Sequence, residues 1–431
     1  MKDKWIDVAI GDIAEIVGGS TPPTADKSNF DGDIPWLTPK DLSGAHGRYV
    51  SHGERNLSDK GLACCSARLL PLNSVLLSSR APIGYVAIAA NQITTNQGFR
   101  SLVLKPGYDH EFLYYWLSAN IEELERHASG STFKELSGSS LKNIRIRIPS
   151  DLTEQCAIAH ILGTLDDKIE LNRRMNKTLE ARAQALFKSW FVDFDPVRAK
   201  IECRWKRGQY LPGLPAHLWD LFPDCLVDSE LGEIPKGWGI STVGEEFILT
   251  MGQSPPGETY NEIGEGIPFF QGRADFEFRY PSRRVFCPAA TRFADPGDTL
   301  VSVRAPVGDI NMALERCAVG RGVAAIRHKS GSRSYTYHVM LSLVDVFGNF
   351  EADGTVFGCI NKDDFHRIKS IAPPLHLVLD FEKAAFPIDQ TIENNIVQSR
   401  TLAALRDALL PKLIFGEIRT KDVKEFMGGI V

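Results

Sequence analysis

Apolar residues recur every three or four positions along one long stretch of the chain, from residue 151 to residue 191. The stretch contains no proline and only one glycine, Gly163. Its apolar positions are Ile158, Leu162, Leu165, Ile169, Leu179, Ala183, Leu186 and Trp190. This spacing predicts one amphipathic helix of about 40 residues, roughly 60 Å long at a rise of about 1.5 Å per residue.

A second stripe of the same kind lies near the end of the chain, at Phe381, Ala385, Ile388, Ile392, Leu402, Leu409 and Leu413. We expect the two stripes to pack on each other as an antiparallel coiled coil, because the segment between them is long enough to return the chain. Asn172 and Asn395 interrupt the stripes at corresponding positions. Such asparagines either fix the register of the helices at a cost in stability or lie at a partner surface.

The segments before the two helices have a different pattern, in which Gly and Pro turns separate short β-type runs. This pattern predicts mixed α/β domains. The predicted order is a globular domain at 1–150, a long helix at 151–192, a linker at 193–238, a second globular domain at 239–372, a second long helix at 373–418 and a tail at 419–431. The predicted fold class is therefore α+β, with two mixed α/β domains separated by a pair of long antiparallel helices.

The two halves of the chain are copies of one unit. The aligned pairs include Trp5 with Trp238 and Gly19 with Gly252 at an offset of 233, residues 80–82 with residues 304–306 at an offset of 224, and Asp166 with Asp389 at an offset of 223. So many matches in order, with only two small slips, predict an internal pseudo-two-fold repeat. The period is far longer than the roughly 20 to 50 residues of solenoid repeats, so each copy is a domain with a helical appendage.

Composition and charge narrow the class of protein. A chain of 431 residues with 43% hydrophobic and 24% charged residues is typical of a globular protein with two or more domains. The sequence has no signal-peptide pattern and no apolar run near the ~20 residues that span a bilayer, so we expect a cytoplasmic protein without membrane contact. The eight cysteines form no C-x-x-C pair, which predicts reduced thiols and no metal site. The net charge of −5 gives by itself no electrostatic reason to bind nucleic acid.

Four segments resemble a known family. Residues 166–176 (Asp-Asp-Lys-Ile-Glu-Leu-Asn-Arg-Arg-Met-Asn) and 185–196 (Ala-Leu-Phe-Lys-Ser-Trp-Phe-Val-Asp-Phe-Asp-Pro) are similar to the central region of type I restriction-modification specificity subunits. Residues 226–235 and 409–418 resemble the linker and the C-terminal region of that family. The resemblance spans the whole chain, although the globular parts match only sparsely.

The resemblance implies two target recognition domains that bind double-stranded DNA. It also implies assembly with two modification subunits, which use S-adenosylmethionine, and with two restriction subunits, which bind ATP and Mg²⁺. This chain would then hold no cofactor of its own. Because the two copies share a framework but few side chains, we expect two different half-sites separated by an unread spacer, which makes the target asymmetric and bipartite.

The sequence lacks the motifs of the enzymes in such a complex. None of its three Pro-Pro pairs follows Asn or Asp or precedes an aromatic residue, which excludes an amino-methyltransferase motif. No G-x-x-x-x-G-K-[ST] loop is present to bind a triphosphate. Asp166 and Asp167 lie on a predicted helix face, where a solvated or partner-facing role outweighs a metal-dependent nuclease site. We therefore predict no catalytic residue.

DNA contacts are expected from the globular domains, because Arg reads guanine, Asn and Gln read adenine, and Arg, Lys and hydroxyl groups hold phosphates. The candidates are Arg80, Thr94, Thr95, Asn96 and Gln97 in the first domain and Arg304 and Arg321 in the second. Weaker candidates are Ser129 to Thr132 with Lys134, and Arg273, Arg279, Arg283 and Arg284. The repeated Arg-Ala-Pro-x-Gly is either a structural turn or a phosphate clamp.

Three hypotheses follow from the sequence. The chain is a sequence-specific DNA-recognition subunit, a structural coiled-coil adaptor, or a self-sufficient DNA-modifying enzyme. Specific DNA retention separates the first from the second, and binding of S-adenosylmethionine by the isolated chain would favour the third. The base sequence of the target does not follow from the residues, since it depends on side-chain geometry in the groove.

Overall fold

The computed structural model of the chain describes residues 5–44, 47–130, 134–210, 215–352 and 358–422, without the side chains of residues 351 and 352. Both predicted globular domains therefore contain short stretches outside the described residues. The candidate DNA contacts Ser131 and Thr132, residues 211–214 of the linker and residues 423–431 of the tail also lie outside them. The chain forms two compact units, unit 1 with residues 1–174 and 396–431 and unit 2 with residues 175–395.

The globular part of unit 1 is a mixed α/β domain. Its elements are β1 (Trp5–Ala9), α1 (Ile10–Ile13), β2 (Ala14–Gly18), β3 (Phe30–Leu37), α2 (Pro39–Leu42), β4 (Tyr49–Val50), β5 (Arg55–Leu57), α3 (Asp59–Ala63), β6 (Val75–Ser79), β7 (Ile83–Ala89), β8 (Thr94–Thr95), β9 (Arg100–Leu104), α4 (His110–Ala119), α5 (Ile121–Arg126), α6 (Gly138–Asn143) and β10 (Arg145–Pro149). The strands form a five-stranded sheet in the order β2-β9-β6-β7-β4, a three-stranded sheet in the order β5-β3-β8, and the pair β1-β10. The first long helix, α7 (Leu152–Phe191), begins directly after β10.

Unit 2 contains the linker and the second globular domain. Its elements are α8 (Asp195–Ile201), β11 (Leu226–Ser229), β12 (Gly232–Pro235), β13 (Gly239–Thr242), α9 (Val243–Glu246), β14 (Phe247–Met251), β15 (Ile267–Phe270), β16 (Phe286–Cys287), β17 (Phe293–Ala294), β18 (Thr299–Ser302), β19 (Ile310–Met312), β20 (Cys317–Val319), β21 (Val323–His328), α10 (Arg333–Ser342), α11 (Val344–Ala352), α12 (Lys362–Arg367) and β22 (Lys369–Ala372), followed by the second long helix α13 (Leu375–Ile414). Short 3-10 helices occur at Lys27–Asn29 in unit 1 and at Ala216–Leu221, Gly257–Thr259 and Arg273–Asp275 in unit 2.

Three sheets of unit 2 correspond to those of unit 1, although the strand numbers differ, and unit 2 also contains the pair β11-β12. One has the order β14-β21-β18-β19, a second has the order β16-β15-β20-β17, and β13 pairs with β22 as β1 pairs with β10. β15 runs parallel to β20, as β3 runs parallel to β8. The internal repeat and the mixed helix and sheet class predicted from the sequence are confirmed.

The long helices are antiparallel within each unit. In unit 1, Arg406 of α13 binds Asp166 of α7 at 2.6 Å, whereas Gln398 accepts from Asn172 at 2.8 Å, so residue numbers rise along one helix as they fall along the other. In unit 2 the Asn395 side-chain amide donates to Asn176 Oδ1 at 2.9 Å. Both seam asparagines thus bind polar side chains of the opposite helix, and Asn172 also donates to Ser399 at 3.2 Å.

Each unit buries the apolar stripe of a helix half in its own core. In unit 1, Ile158 and Leu162 of α7 and Leu413 of α13 join the core of the first globular domain. In unit 2 the stripe residues Trp190 and Phe381 join a core that also contains linker residues such as Trp205 and Phe222. The amphipathic pattern therefore serves two purposes at once, since it pairs the helices and attaches a globular domain to them.

We expect Phe381→Ala to lower the free energy of unfolding of unit 2 by about 3–5 kcal/mol, because the ring is fully buried and its loss leaves a cavity. Its ring lies 5.4 to 6.0 Å from those of Phe187, Trp190 and Phe191. Urea denaturation followed by near-UV circular dichroism measures the change. Leu379→Ala is the matched control, because Leu379 lies on the same helix and is 40% exposed, and it should cost less than about 1 kcal/mol. Equal losses in the two variants would contradict this view of the core.

Candidate nucleic-acid interface

In unit 1 the carboxyl ends of two parallel strands bring several loops together. β3 and β8 pair with Trp36 opposite Thr94, so the residues after both strands lie at one edge of their sheet. The Asn96 backbone N–H donates to Leu37 O at 2.8 Å, and the Ser20 backbone N–H donates to Thr95 O at 2.9 Å. These bonds place residues 19–21, 37–39 and 96–98 side by side.

The Arg-Ala-Pro turn joins this edge through β6. The Ser79 amide donates to Gly98 O at 2.7 Å, which brings the next residue, Arg80, beside the loop of residues 96–98. The Arg80 side chain is 40% exposed and lies 3.6 Å from Glu135, which also binds Arg100 at 2.7 Å. Lys134, next to Glu135, is exposed. We call residues 19–21, 37–39, 80, 96–98 and 134–135 the first loop cluster.

The polar run of residues 94–97 divides into two pairs. Gln97 is exposed, and its Oε1 accepts a hydrogen bond from the Thr21 hydroxyl. Asn96 is partly buried, and its Oδ1 accepts from the Gly98 amide at 2.9 Å, which shapes the turn. Two DNA-contact predictions need correction, because Thr94 and Thr95 are 0% and 2% exposed. The Thr94 hydroxyl donates to Pro35 O at 2.8 Å, so this side chain links β8 to β3 instead of facing solvent.

Unit 2 contains a second edge of the same construction. The Gly320 backbone N–H donates to Phe270 O at 2.9 Å, and the Gln253 backbone N–H donates to Val319 O at 3.0 Å. The Gly322 amide donates to Gln271 O at 3.0 Å. We call residues 252–254, 270–273, 304 and 320–322 the second loop cluster.

The two clusters share their backbone scaffold. The bond from the Ser79 amide to Gly98 has its counterpart in the bond from the Val303 amide to Gly322 O at 2.9 Å. The serine before each Arg-Ala-Pro turn also closes the turn in the same way, since Ser78 Oγ donates to Pro82 O at 2.8 Å and Ser302 Oγ donates to Pro306 O at 2.9 Å. The same serine hydrogen bond therefore stabilises both turns, and the strand before each turn places its arginine at the cluster.

The second loop cluster carries three exposed arginines, Arg273, Arg304 and Arg321. Arg273 forms an ion pair with Asp309 at 2.7 Å. Arg304 and Arg321 form no ion pair with any other residue that the structure describes, and the Arg321 backbone amide donates to Ser254 Oγ at 3.1 Å. Three positive side chains lie at this edge, and of these only Arg273 has a carboxylate partner among the described residues, an arrangement that suits a polyanionic ligand.

The remaining arginine candidates lie elsewhere. Arg283 binds Glu315, and Arg284 binds Asp275 at 2.8 Å, both as partly exposed ion pairs. Arg279 is fully buried between Glu180 and Asp389, so its prediction as a DNA contact is wrong. Thr21, Gln253 and Gln271 belong to the clusters and were not predicted. The repeat offered a signal for the first two, because both follow the aligned glycines Gly19 and Gly252.

Metal-ligating clusters and membrane-spanning helices are both absent from the described residues. Among them, no group of three or more His, Cys, Asp or Glu side chains could hold a metal ion. No helix in the described ranges is both long enough and apolar enough to cross a membrane.

Comparison with known proteins identifies the family. The profile described as "Type I restriction modification DNA specificity domain" matches residues 2–181. The MjaIX type I restriction enzyme specificity subunit of Methanocaldococcus jannaschii is 34% identical over 437 residues, which cover 97% of this chain and 94% of the relative. This chain belongs to the type I restriction enzyme specificity subunits. The role of this family is the recognition of a DNA sequence, and its members act with modification and restriction subunits.

Two further comparisons agree with this assignment. The HindI specificity subunit of Haemophilus influenzae is 26% identical over 364 residues, covering 72% of this chain and 77% of the relative. The crystal structure of the S subunit of the type I restriction-modification system from M. genitalium has the same fold, with a TM-score of 0.60 over 96% of both chains at 19% identity.

We expect Gly252→Ala to disrupt the second loop cluster and to destabilise unit 2 by about 1–3 kcal/mol. A Cβ atom at this position would lie 2.1 Å from Gly320 O and 2.5 Å from Val323 O, both backbone atoms that cannot move without breaking the scaffold. Thermal unfolding measures the loss. Gly257→Ala is the control, because a Cβ there has no neighbour within 4 Å, and it should leave the melting temperature within about a degree of the parent. A parental melting temperature for Gly252→Ala would show that the loops are not packed in this way.

Proposed function

We propose that this chain reads an asymmetric, bipartite DNA target for a type I restriction-modification complex, one half-site with each loop cluster, and that it contributes no catalytic group. The observation that carries the proposal is the pair of loop clusters. They have the same backbone hydrogen bonds, as between Ser79 and Gly98 and between Val303 and Gly322, but they expose different side chains.

The difference between the exposed side chains supports two different half-sites. The first cluster offers Gln97 and Arg80, and the second offers Arg304 and Arg321 with Gln271. Arg forms paired hydrogen bonds with guanine, and Gln does so with adenine, so clusters with different side chains select different bases. Which of these arginines contact bases and which contact phosphates is decided by the groove that each enters.

The charge of the chain supports a function within a complex. A net charge of −5 gives no long-range electrostatic attraction to the polyanionic duplex, so we propose that the chain alone binds weakly. The modification and restriction subunits, two of each in this proposal, would supply most of the contact with the phosphate backbone. They would also supply the chemistry, with S-adenosylmethionine, ATP and Mg²⁺. The long helices α7 and α13 would scaffold these subunits and set the spacer.

The central test is the exchange of one globular domain. Replacing residues 239–372 with the equivalent domain of a relative that has another target should change one half of the methylated sequence and leave the other half and the spacer intact. Methylome sequencing of a host that carries the exchanged chain with its modification subunit gives the result. A change in both half-sites, or a continuous native target, would overturn the proposal.

Single substitutions test the second loop cluster directly. Arg304→Gln and Arg321→Gln should each weaken specific binding of the assembled complex by about 1–3 kcal/mol if the arginine contacts a base, with relaxed selectivity in one half-site only. Competition binding with duplexes that carry base changes in either half-site separates the two effects. Arg367→Gln is the control, because Arg367 is 79% exposed, is paired only with Asp364 among the described residues, and lies outside the cluster. If that variant weakens binding as much as the other two, the cluster is not the reading surface.

A further inference from the structure

Each globular domain places one buried arginine at an equivalent point of its fold. The Ile88 amide of β7 donates to Arg48 O at 2.8 Å, and the Met312 amide of β19 donates to Arg279 O at 2.9 Å. Ile88 and Met312 are aligned in the repeat at the offset of 224, so Arg48 and Arg279 are structural counterparts. A tyrosine, Tyr49 or Tyr280, follows each arginine.

In unit 1, Arg48 joins the globular domain to α7. The residue is 8% exposed, and its Nη1 donates to Gly163 O of α7 at 2.8 Å and lies 3.0 Å from the Asp167 carboxylate one turn further on. Its Nη2 lies 3.4 Å from Glu111 in α4. The Tyr49 hydroxyl donates to the same Glu111. One guanidinium therefore connects the domain's own helix with the long helix.

In unit 2, Arg279 connects the globular domain with both long helices and is more deeply buried than Arg48. It is fully buried, with Nη1 donating to Glu180 of α7 at 2.6 Å and Nη2 donating to Asp389 of α13. Its guanidinium carbon lies 3.5 Å from the ring centroid of Tyr337 in α10, a helix of the globular domain. The Tyr280 hydroxyl donates to Glu393 of α13 at 3.3 Å. Burial raises the pKa of Glu180, and the Arg279 charge opposes that shift.

The same chain segments connect these arginines with the loop clusters. Arg48 follows residues 37–39 of the first cluster, and Arg279 follows residues 270–273 of the second. A planar guanidinium that donates in two fixed directions restricts rotation more than an apolar contact does, because its hydrogen bonds are lost when the domain turns. Removing one partner of a buried ion pair leaves an uncompensated charge, so an arrangement that separates the partners is strongly disfavoured. Each arginine is therefore suited to fix the angle of its domain on the helix.

We propose that Arg48 and Arg279 are positioning residues that hold each reading domain at one angle on its helical segment and thereby make the complex selective for the length of the spacer. This proposal rests on the proposed bipartite reading. One base pair more or less moves a half-site by about 3.4 Å and rotates it by about 34°, so a complex that accepts one spacer needs reading domains that do not tilt. The arginines themselves touch no base.

The test measures spacer selectivity apart from base selectivity. The chain, assembled with its modification subunits, methylates duplexes that carry both half-sites with the native spacer, one base pair fewer or one base pair more. We expect the parent to prefer the native spacer and Arg48→Met to reduce that preference by about tenfold, because the domain can then tilt by the small distance that a shifted half-site requires. Base changes within a half-site should still abolish methylation. Arg48→Lys keeps the positive charge but loses the paired N–H donors of the guanidinium. Its spacer preference should lie between those of the parent and of Arg48→Met.

Arg68→Met is the matched control. Arg68 belongs to the same domain and forms an ion pair with Glu15 at 2.6 Å, but both side chains are more than half exposed. The complex with Arg68→Met should therefore have the same spacer preference as the parent. An unchanged preference in either assembled Arg48 variant overturns the proposal. If Arg48→Met fails to assemble, Arg48→Lys decides in the same way. A methylome that reveals a continuous target would refute the proposed function instead, so the two failures are distinguishable.

Discussion

The architecture depends on the burial of two apolar stripes that neither long helix can bury alone. α7 and α13 each extend over 40 residues, and each contributes one half to unit 1 and the other half to unit 2. Within a unit the paired halves also supply part of the core of the globular domain, as Leu162 and Leu413 do in unit 1. The helices and the domains therefore stabilise each other, and a domain exchange has to preserve the residues that face the helix.

Both loop clusters combine a scaffold of backbone hydrogen bonds with exposed side chains that differ between the two copies. Backbone amides and carbonyls of strand ends hold the loops together, as between Gln253 and Val319, and Gly252 leaves room for the close approach. Because these bonds use no side chains, the exposed positions can differ without loss of the scaffold. This explains how two copies with sparse side-chain identity keep one fold.

Burying polar groups inside the two units costs desolvation free energy, so a contribution to stability does not by itself explain their presence. Arg279 and Asp389 are both fully buried, and the Asn172 side chain is 1% exposed within a helix pair. Desolvating such groups offsets much of what their pairing contributes, whereas a misplaced partner leaves a buried charge uncompensated. Because only one arrangement pairs all of these groups, they favour one register of the helix pair over others.

The sequence by itself determined the elements whose signal is periodic or repeated. The 3.6-residue spacing of Ile158, Leu162 and their successors predicted both long helices, because burial of one face leaves that pattern in any amphipathic helix. The offsets between the halves predicted the repeat and placed Arg80 and Arg304 in equivalent turns.

Only the tertiary structure decided which polar residues face solvent. Thr94 and Arg279 carry the same functional groups as surface residues, but one closes a strand pair and the other lies between two carboxylates. The burial of a polar side chain depends on partners that are distant in sequence, such as Pro35 or Asp389, and no local pattern encodes them.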